Sequence, residues 1–296
     1  MYQRILKTLL TLLLPATAVL GAEVELFTCS ESGSGTAYFK VCVSNTGNVT
    51  LFKSPWGMEH IRVADEYNSS GNLYALEGYT VCREVWDPVY HQYVYDPRFD
   101  LGGYYRIPGI EDRYWMVMWG WPTTRIVQPT PGKFPLTIHS TESADGTHAL
   151  WELKQDFAID KEERELTITM TLYNRSGTLQ RNVKLGRAVQ LKIDNSGEGE
   201  EALFGLRSGA QFDSGLFGGN QDAVSVTALT TNYPALYSSA NYLVGWGDGA
   251  FGFCEGGPAP ARSWYSGEGE VGAVLYSFGN LAAGASRTVK FAYRAF

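Results

Sequence analysis

The chain has 296 residues but only 4 cysteines, 4 histidines and 5 methionines. No Cys-x-x-Cys pair occurs, and no histidine lies close to a cysteine, which removes the usual zinc spacings. No metal and no cofactor are expected. The Gly-x-Ser-x-Gly elbow, the His-Glu-x-x-His pair and the phosphate-binding loop are also missing, so the common hydrolase, metalloprotease and nucleotide-dependent classes have no motif to rest on. Basic residues are in the minority: 24 Lys and Arg against 31 Asp and Glu give a formal net charge of −7. That balance disfavours nucleic acid and anionic lipid as partners. No apolar run reaches the ~20 residues that a membrane-spanning helix requires, and no stretch keeps a helical period.

What is present begins at the amino terminus. Arg4 and Lys7 give a basic start, Leu9 to Leu14 an apolar run broken only by Thr11, and Ala16, Ala18, Gly21 and Ala22 a series of small residues. This is the pattern of a secretory signal peptide over residues 1–22, with cleavage favoured after Ala22. No cysteine stands at the cut, so a lipid anchor is not expected. The expected address is secreted, extracellular or periplasmic, with no membrane span in the mature chain 23–296. In that oxidising setting Cys29, Cys42, Cys82 and Cys254 are expected to form two disulfides. Three pairings are possible. Cys29–Cys42 is favoured because Ser30 to Gly35 reads as a turn that folds two short strands together, which leaves Cys82–Cys254.

Aromatic residues make up 14% of the chain and glycine contributes 33 positions, a β-rich and turn-rich signature. Strands are expected over Ala37–Val43, Val49–Lys53, Leu136–Thr141, His148–Ile159, Leu166–Tyr173, Val183–Ile193, Val271–Phe278 and Thr288–Tyr293. Leu166, Ile168, Met170 and Leu172 alternate strictly with threonines, as a half-buried strand does. Turn signals every 8 to 15 residues, with no linker and no repeat, predict an all-β fold: one large antiparallel β-sandwich, as a single domain. An outer-membrane barrel is the rival. The last strand argues against it, because Val289, Phe291 and Tyr293 share one face while Thr288, Lys290, Arg294 and Phe296 share the other.

Two resemblances bear on the fold. Leu150 to Asp194, with LKQDFAID, ELTITMTLYNRSG and NVKLGRAVQLKID, resembles the central strands of galactose-mutarotase-like supersandwich domains. Ser54-Pro55-Trp56-Gly57-Met58-Glu59-His60, the Glu77-to-Cys82 segment and the closing strand resemble a group of uncharacterised secreted bacterial β-sandwich proteins. The resemblance implies a supersandwich-like fold and an exported compartment, and carries no activity with it.

The densest unusual stretch is 86–121, with Trp86, Tyr90, Tyr93, Tyr95, Phe99, Tyr104, Tyr105, Tyr114, Trp115, Trp119 and Trp121 among acidic and arginine residues. Aromatic faces stack on the CH faces of sugars, while carboxylates and guanidinium forks take up hydroxyl hydrogen bonds. The candidate ligand-binding residues are therefore Trp86, Tyr90, His91, Tyr93, Tyr95, Arg98, Tyr104, Trp119 and Trp121. Trp119 and Trp121 would form a two-ring platform ~7 Å apart on one strand face. Against this, Tyr114 to Trp121 is apolar on both faces, which is how a buried central strand reads, with Trp115 and Trp119 in the core.

The histidines are sparse. Pairing across an Asp145-Gly146 turn would set Ser143 opposite His148 and His139 opposite Glu152, with both histidines structural. Glu59 and His60 point to opposite faces of a strand, so they cannot act as a dyad with each other. Asp194 to Glu201 has oxygen side chains spaced like a calcium loop but lacks the closing glutamate, so it reads as a solvated acidic loop.

The leading expectation is a secreted, non-catalytic carbohydrate-binding or surface-interaction protein whose partner is a polysaccharide or glycan. One alternative is an epimerase- or hydrolase-like carbohydrate-active enzyme on the same fold. Another is a structural envelope or extracellular protein. The sequence assigns no catalytic residue and no oligomeric state.

Overall fold

The computed structural model describes residues 27–29, 38–54, 61–63, 77–106, 113–119, 121–143, 148–160, 165–189, 191–193, 201–204, 209–213, 223–241, 254, 264–266 and 270–295. Their regular elements are β-strands. In chain order they are β1 (Phe27–Cys29), β2 (Tyr38–Ser44), β3 (Val49–Ser54), β4 (Ile61–Val63), β5 (Glu77–Asp87), β6 (Gln92–Arg106) and β7 (Arg113–Trp119). There follow β8 (Thr123–Val127), β9 (Leu136–Ser143), β10 (Ala149–Asp160), β11 (Glu165–Asn174), β12 (Gln180–Val189), β13 (Leu191–Ile193) and β14 (Glu201–Phe204). The last are β15 (Gly209–Asp213), β16 (Ala223–Ala228), β17 (Ala235–Asn241), β18 (Trp264–Ser266), β19 (Glu270–Leu281) and β20 (Ser286–Ala295).

Period-two patterning explains how these strands pack. In β11 the residues Leu166, Ile168, Met170 and Leu172 are buried, and the threonines between them are half-buried on the outer face. β10 and β20 flank β11 antiparallel, and β20 turns Val289, Phe291 and Tyr293 to the same side. These strands lie in a nine-stranded sheet of order β18-β14-β15-β16-β20-β11-β10-β9-β8. A six-stranded sheet, β17-β19-β12-β5-β6-β7, faces it and contributes Tyr79, Val81, Val183, Leu185, Val274 and Tyr276 to one shared core. Tyr276 and Phe291 meet edge-to-face across the two sheets, with ring centroids 5.1 Å apart. The protein is an all-β antiparallel sandwich.

β1-β2-β3 form a three-stranded sheet beside it. Its β2–β3 turn is tied inward by Arg187 of β12. This fully buried side chain bonds the carbonyl of Gly47, Gln155 of β10 and Tyr293 of β20.

Cys82 and Cys254 form a disulfide across a sequence separation of 172 residues. Cys42 is also disulfide-bonded, and its register partner across β1–β2 is Cys29. Two glycosylation sequons fall at buried asparagines. Asn48 accepts from Thr46 Oγ1 at 2.6 Å, and the Asn174 amide donates to the backbone carbonyls of Thr178, Leu281 and Ala282.

The structure departs from the sequence expectations at two points. A bulge between Ala149 and Trp151 shifts the β9–β10 register, so His139 faces Lys154 and Glu152 faces Thr141. His139 still reaches Glu152 diagonally, at 3.7 Å, and Glu152 also holds Arg175 at 2.6 Å. Second, β7 lies at an edge of the six-stranded sheet rather than at its centre. Apolar residues on both faces of a strand do not by themselves set its place in the order. The signal segment 1–22, Pro55 to His60, the 144–147 turn and the 194–200 acidic loop lie outside the described residues.

Candidate functional site: an aromatic hairpin

The connection between β5 and β6 is set by its sequence, Asp87-Pro88-Val89-Tyr90-His91. Asp87 Oδ1 accepts the backbone N–H groups of Val89 (2.8 Å) and Tyr90 (3.2 Å), the side-chain-capped turn that aspartate favours. Pro88 fixes φ at the next position. His91 closes the turn in the left-handed region, φ 53°, which histidine tolerates better than bulkier or branched residues. Asp87 and Gln92 then pair, and the ladder runs back from them without interruption to Glu77 and Gly102.

This turn displays its apolar side chains to solvent. Val89 is 76% exposed, Tyr90 72%, Trp86 51% and Tyr93 47%. Trp86 and Tyr93 are direct cross-strand partners. Their rings meet at 5.3 Å and 70°, and the imidazole of His91 stands 6.4 Å from the indole. Such pairs are held by quadrupole complementarity at ~0.5–1.5 kcal/mol beyond area burial, so Trp86 keeps a fixed orientation although half exposed.

Glu84, Trp86, Tyr93 and Tyr95 share the outer face of the six-stranded sheet, as the β5–β6 register dictates. β12 lies on the other side of β5 and brings two cations to that face. The Arg181 guanidinium lies 4.5 Å over the Tyr93 ring, and the Lys184 ammonium 4.3 Å over the Tyr95 ring. Lys184 also donates from Nζ to the carbonyl of Cys254, next to the Cys82–Cys254 disulfide. The aromatic strip is thus closed at one end by the stapled Cys254 and open at the turn.

The inner face at the same end of the sandwich is ionic. Asp96 Oδ2 takes Arg83 at 3.0 Å and Arg98 at 3.1 Å. Arg98 in turn reaches Glu142 of β9 at 3.4 Å, and Arg83 donates to Gln180 at 2.8 Å. Desolvation lifts the Glu142 carboxyl above the usual glutamate range; Arg98 opposes the shift, Asp96 adds to it and Arg83 opposes it.

Of the nine residues singled out from the sequence, Trp86, Tyr90, His91, Tyr93 and Tyr95 come together on this hairpin. Arg98 does not join them: its position in β6 is of opposite parity to Tyr93 and Tyr95, and its guanidinium is spent on Asp96 and Glu142. Trp121 is a correction. It is only 3% exposed and packs edge-to-face on Tyr79 at 5.5 Å, so it belongs to the core and forms no platform with Trp119. Tyr104 pairs with Trp115 and Trp119 with Leu101 along β6–β7; their side chains lie outside the described set. The sequence reading missed Arg181, Lys184 and Glu84. No local signal marks the two cations, because only the β12–β5 pairing, Arg181 with Glu84 and Lys184 with Cys82, brings them to the hairpin. Among the described residues no group of three His, Cys, Asp or Glu side chains is arranged to hold a metal ion, and no helix is long and apolar enough to cross a membrane.

No protein-family model and no curated protein sequence matches this chain.

Proposed function

We propose that the protein is a secreted, non-catalytic carbohydrate-binding protein that contacts a polysaccharide through the β5–β6 hairpin. The observation that carries this reading is the solvent-facing group of Trp86, Tyr90 and Tyr93 at the end of a long paired hairpin, with Trp86 and Tyr93 packed edge-to-face. A sugar ring needs an aromatic face for its CH surface and nearby polar groups for its hydroxyls. Trp86 and Tyr90 are each more than half exposed, and Glu84, His91 and Arg181 stand beside them. Asp87 caps the turn through the Val89 and Tyr90 N–H groups, a local restraint that lowers the entropic cost of binding. Bonded cysteines fit the proposed export into an oxidising compartment.

The test is a glycan array probed with the wild-type protein and with Trp86→Ala and Tyr90→Ala. Binding to a defined polysaccharide class, lost in both variants while their folding is intact, is the expected result. Absence of binding to every glycan, or binding that both variants retain in full, would overturn the proposal.

A further inference from the structure

The Arg181 side chain is exposed and stacked on Tyr93, and that cation–π contact is its whole set of interactions among the described residues. A guanidinium carries five N–H donors in a planar fork that matches a carboxylate bidentately. Here the guanidinium carbon sits 4.5 Å from the Tyr93 ring centroid, and Tyr93 in turn packs edge-to-face on the exposed indole of Trp86. Glu84 is the register partner of Arg181, yet the two form no ion pair among the described residues. Among the described residues the charged side chains that the register places on this outer face are Arg181, Lys184 and Glu84; Lys184 is buried and the Asp87 carboxylate at the turn is taken up by the Val89 and Tyr90 N–H groups, so Arg181 is the exposed cation beside the aromatic group.

The whole chain carries a formal charge of −7, so a polyanion gains nothing from approaching the protein at large. Any affinity for one has to arise at a local cation. The geometry points to an acidic polysaccharide as the ligand: we propose that a uronate residue stacks on Trp86 with its carboxylate seated on the free fork of Arg181. This rests on the hairpin being a carbohydrate contact.

The experiment compares retention of the protein on polygalacturonate, on the same polymer with its carboxylates methyl-esterified, and on dextran sulfate. Wild type should bind polygalacturonate about tenfold more tightly than the ester, in keeping with the greater strength of charge-assisted bidentate pairs. Arg181→Ala should abolish that preference with the melting temperature unchanged. Arg181→Lys keeps the charge but loses the fork, and should remain several-fold weaker than wild type. Equal binding of the acid and its ester would overturn the assignment and leave the hairpin reading standing. So would equal binding of dextran sulfate and polygalacturonate, or a preference that survives Arg181→Ala. Polygalacturonate binding that Trp86→Ala leaves untouched would overturn both readings. Failure to bind polygalacturonate at all, with a positive array on neutral glycans, would overturn the acidic ligand alone.

Discussion

Arg187 of β12 reaches across the sandwich to Gln155 of β10, its Nη1 donating to Oε1 at 3.0 Å. Both side chains are fully buried. The same guanidinium bonds the Gly47 carbonyl at 3.1 Å and the Tyr293 hydroxyl at 3.3 Å, and it sits over the Tyr79 and Tyr293 rings at 5.9 and 5.7 Å. A buried guanidinium costs several kcal/mol of desolvation unless its donors are met. Here one residue joins both main sheets and the β2–β3 turn, so those three elements depend on one another.

That dependence makes Gly47 a sensitive position. Its φ is +96°, a conformation an L side chain adopts only with strain, and a Cβ there would press into the Gln155 amide. Gly47→Ala should therefore displace Gln155 from Arg187 as well as straining the turn. We expect a loss of about 2–4 kcal/mol, read as a lower urea midpoint. An unchanged midpoint would mean that the turn and Gln155 yield freely.

The ionic group at the hairpin end predicts a pH dependence. Burial raises the Glu142 pKa in the folded protein, and Arg98 only partly offsets it. Its Oε2 is buried without a hydrogen bond among the described residues. The folded state then binds this proton more readily than the unfolded chain does. The stability contributed by Glu142 is fully present below the unfolded glutamate pKa and is lost as pH rises through the raised folded value. Glu142→Gln removes the charge at nearly constant shape. Wild type minus variant, the unfolding free energy should fall as pH rises through that window and level off above it. Urea titrations at a series of pH values measure the difference; a constant difference from about pH 4 to 8 would contradict the assignment.

Much of this fold is legible in the sequence because one face of each central strand is buried. The alternation in Leu166–Leu172 and the parity of Val289, Phe291 and Tyr293 name the inward residues directly, and the structure buries all of them. Sheet order is another matter. The tract 114–121 is apolar on both faces, which does not distinguish the edge position of β7 from a central one, nor reveal that Trp121 turns back onto Tyr79. Register is similarly hidden, since the bulge before Trp151 leaves no mark in composition. The candidate site was half legible for the same reason. Its aromatic residues are neighbours in sequence, and a parity count along β6 separates Arg98 from Tyr93 and Tyr95. Arg181 arrives from a strand far along the chain, and only sheet order places it.

Two tryptophans at opposite ends of the 86–121 segment separate binding from packing. Trp121 is enclosed by the core, so Trp121→Ala leaves a cavity against Tyr79 and should cost about 3–5 kcal/mol of stability. Trp86 is half exposed, and its truncation loses only ring contacts with Tyr93 and His91, worth about 0.5–1.5 kcal/mol. Trp86→Ala should thus unfold within about 1.5 kcal/mol of wild type. Polysaccharide retention should rank the two the other way. Trp86→Ala removes the exposed ring face and should lose binding, while Trp121→Ala should still bind at temperatures where it is folded. Urea melts and retention assays on the same two preparations give both rankings. If Trp86→Ala proved as destabilising as Trp121→Ala, the indole would be a packing residue, and the hairpin would lose its claim to be a ligand surface.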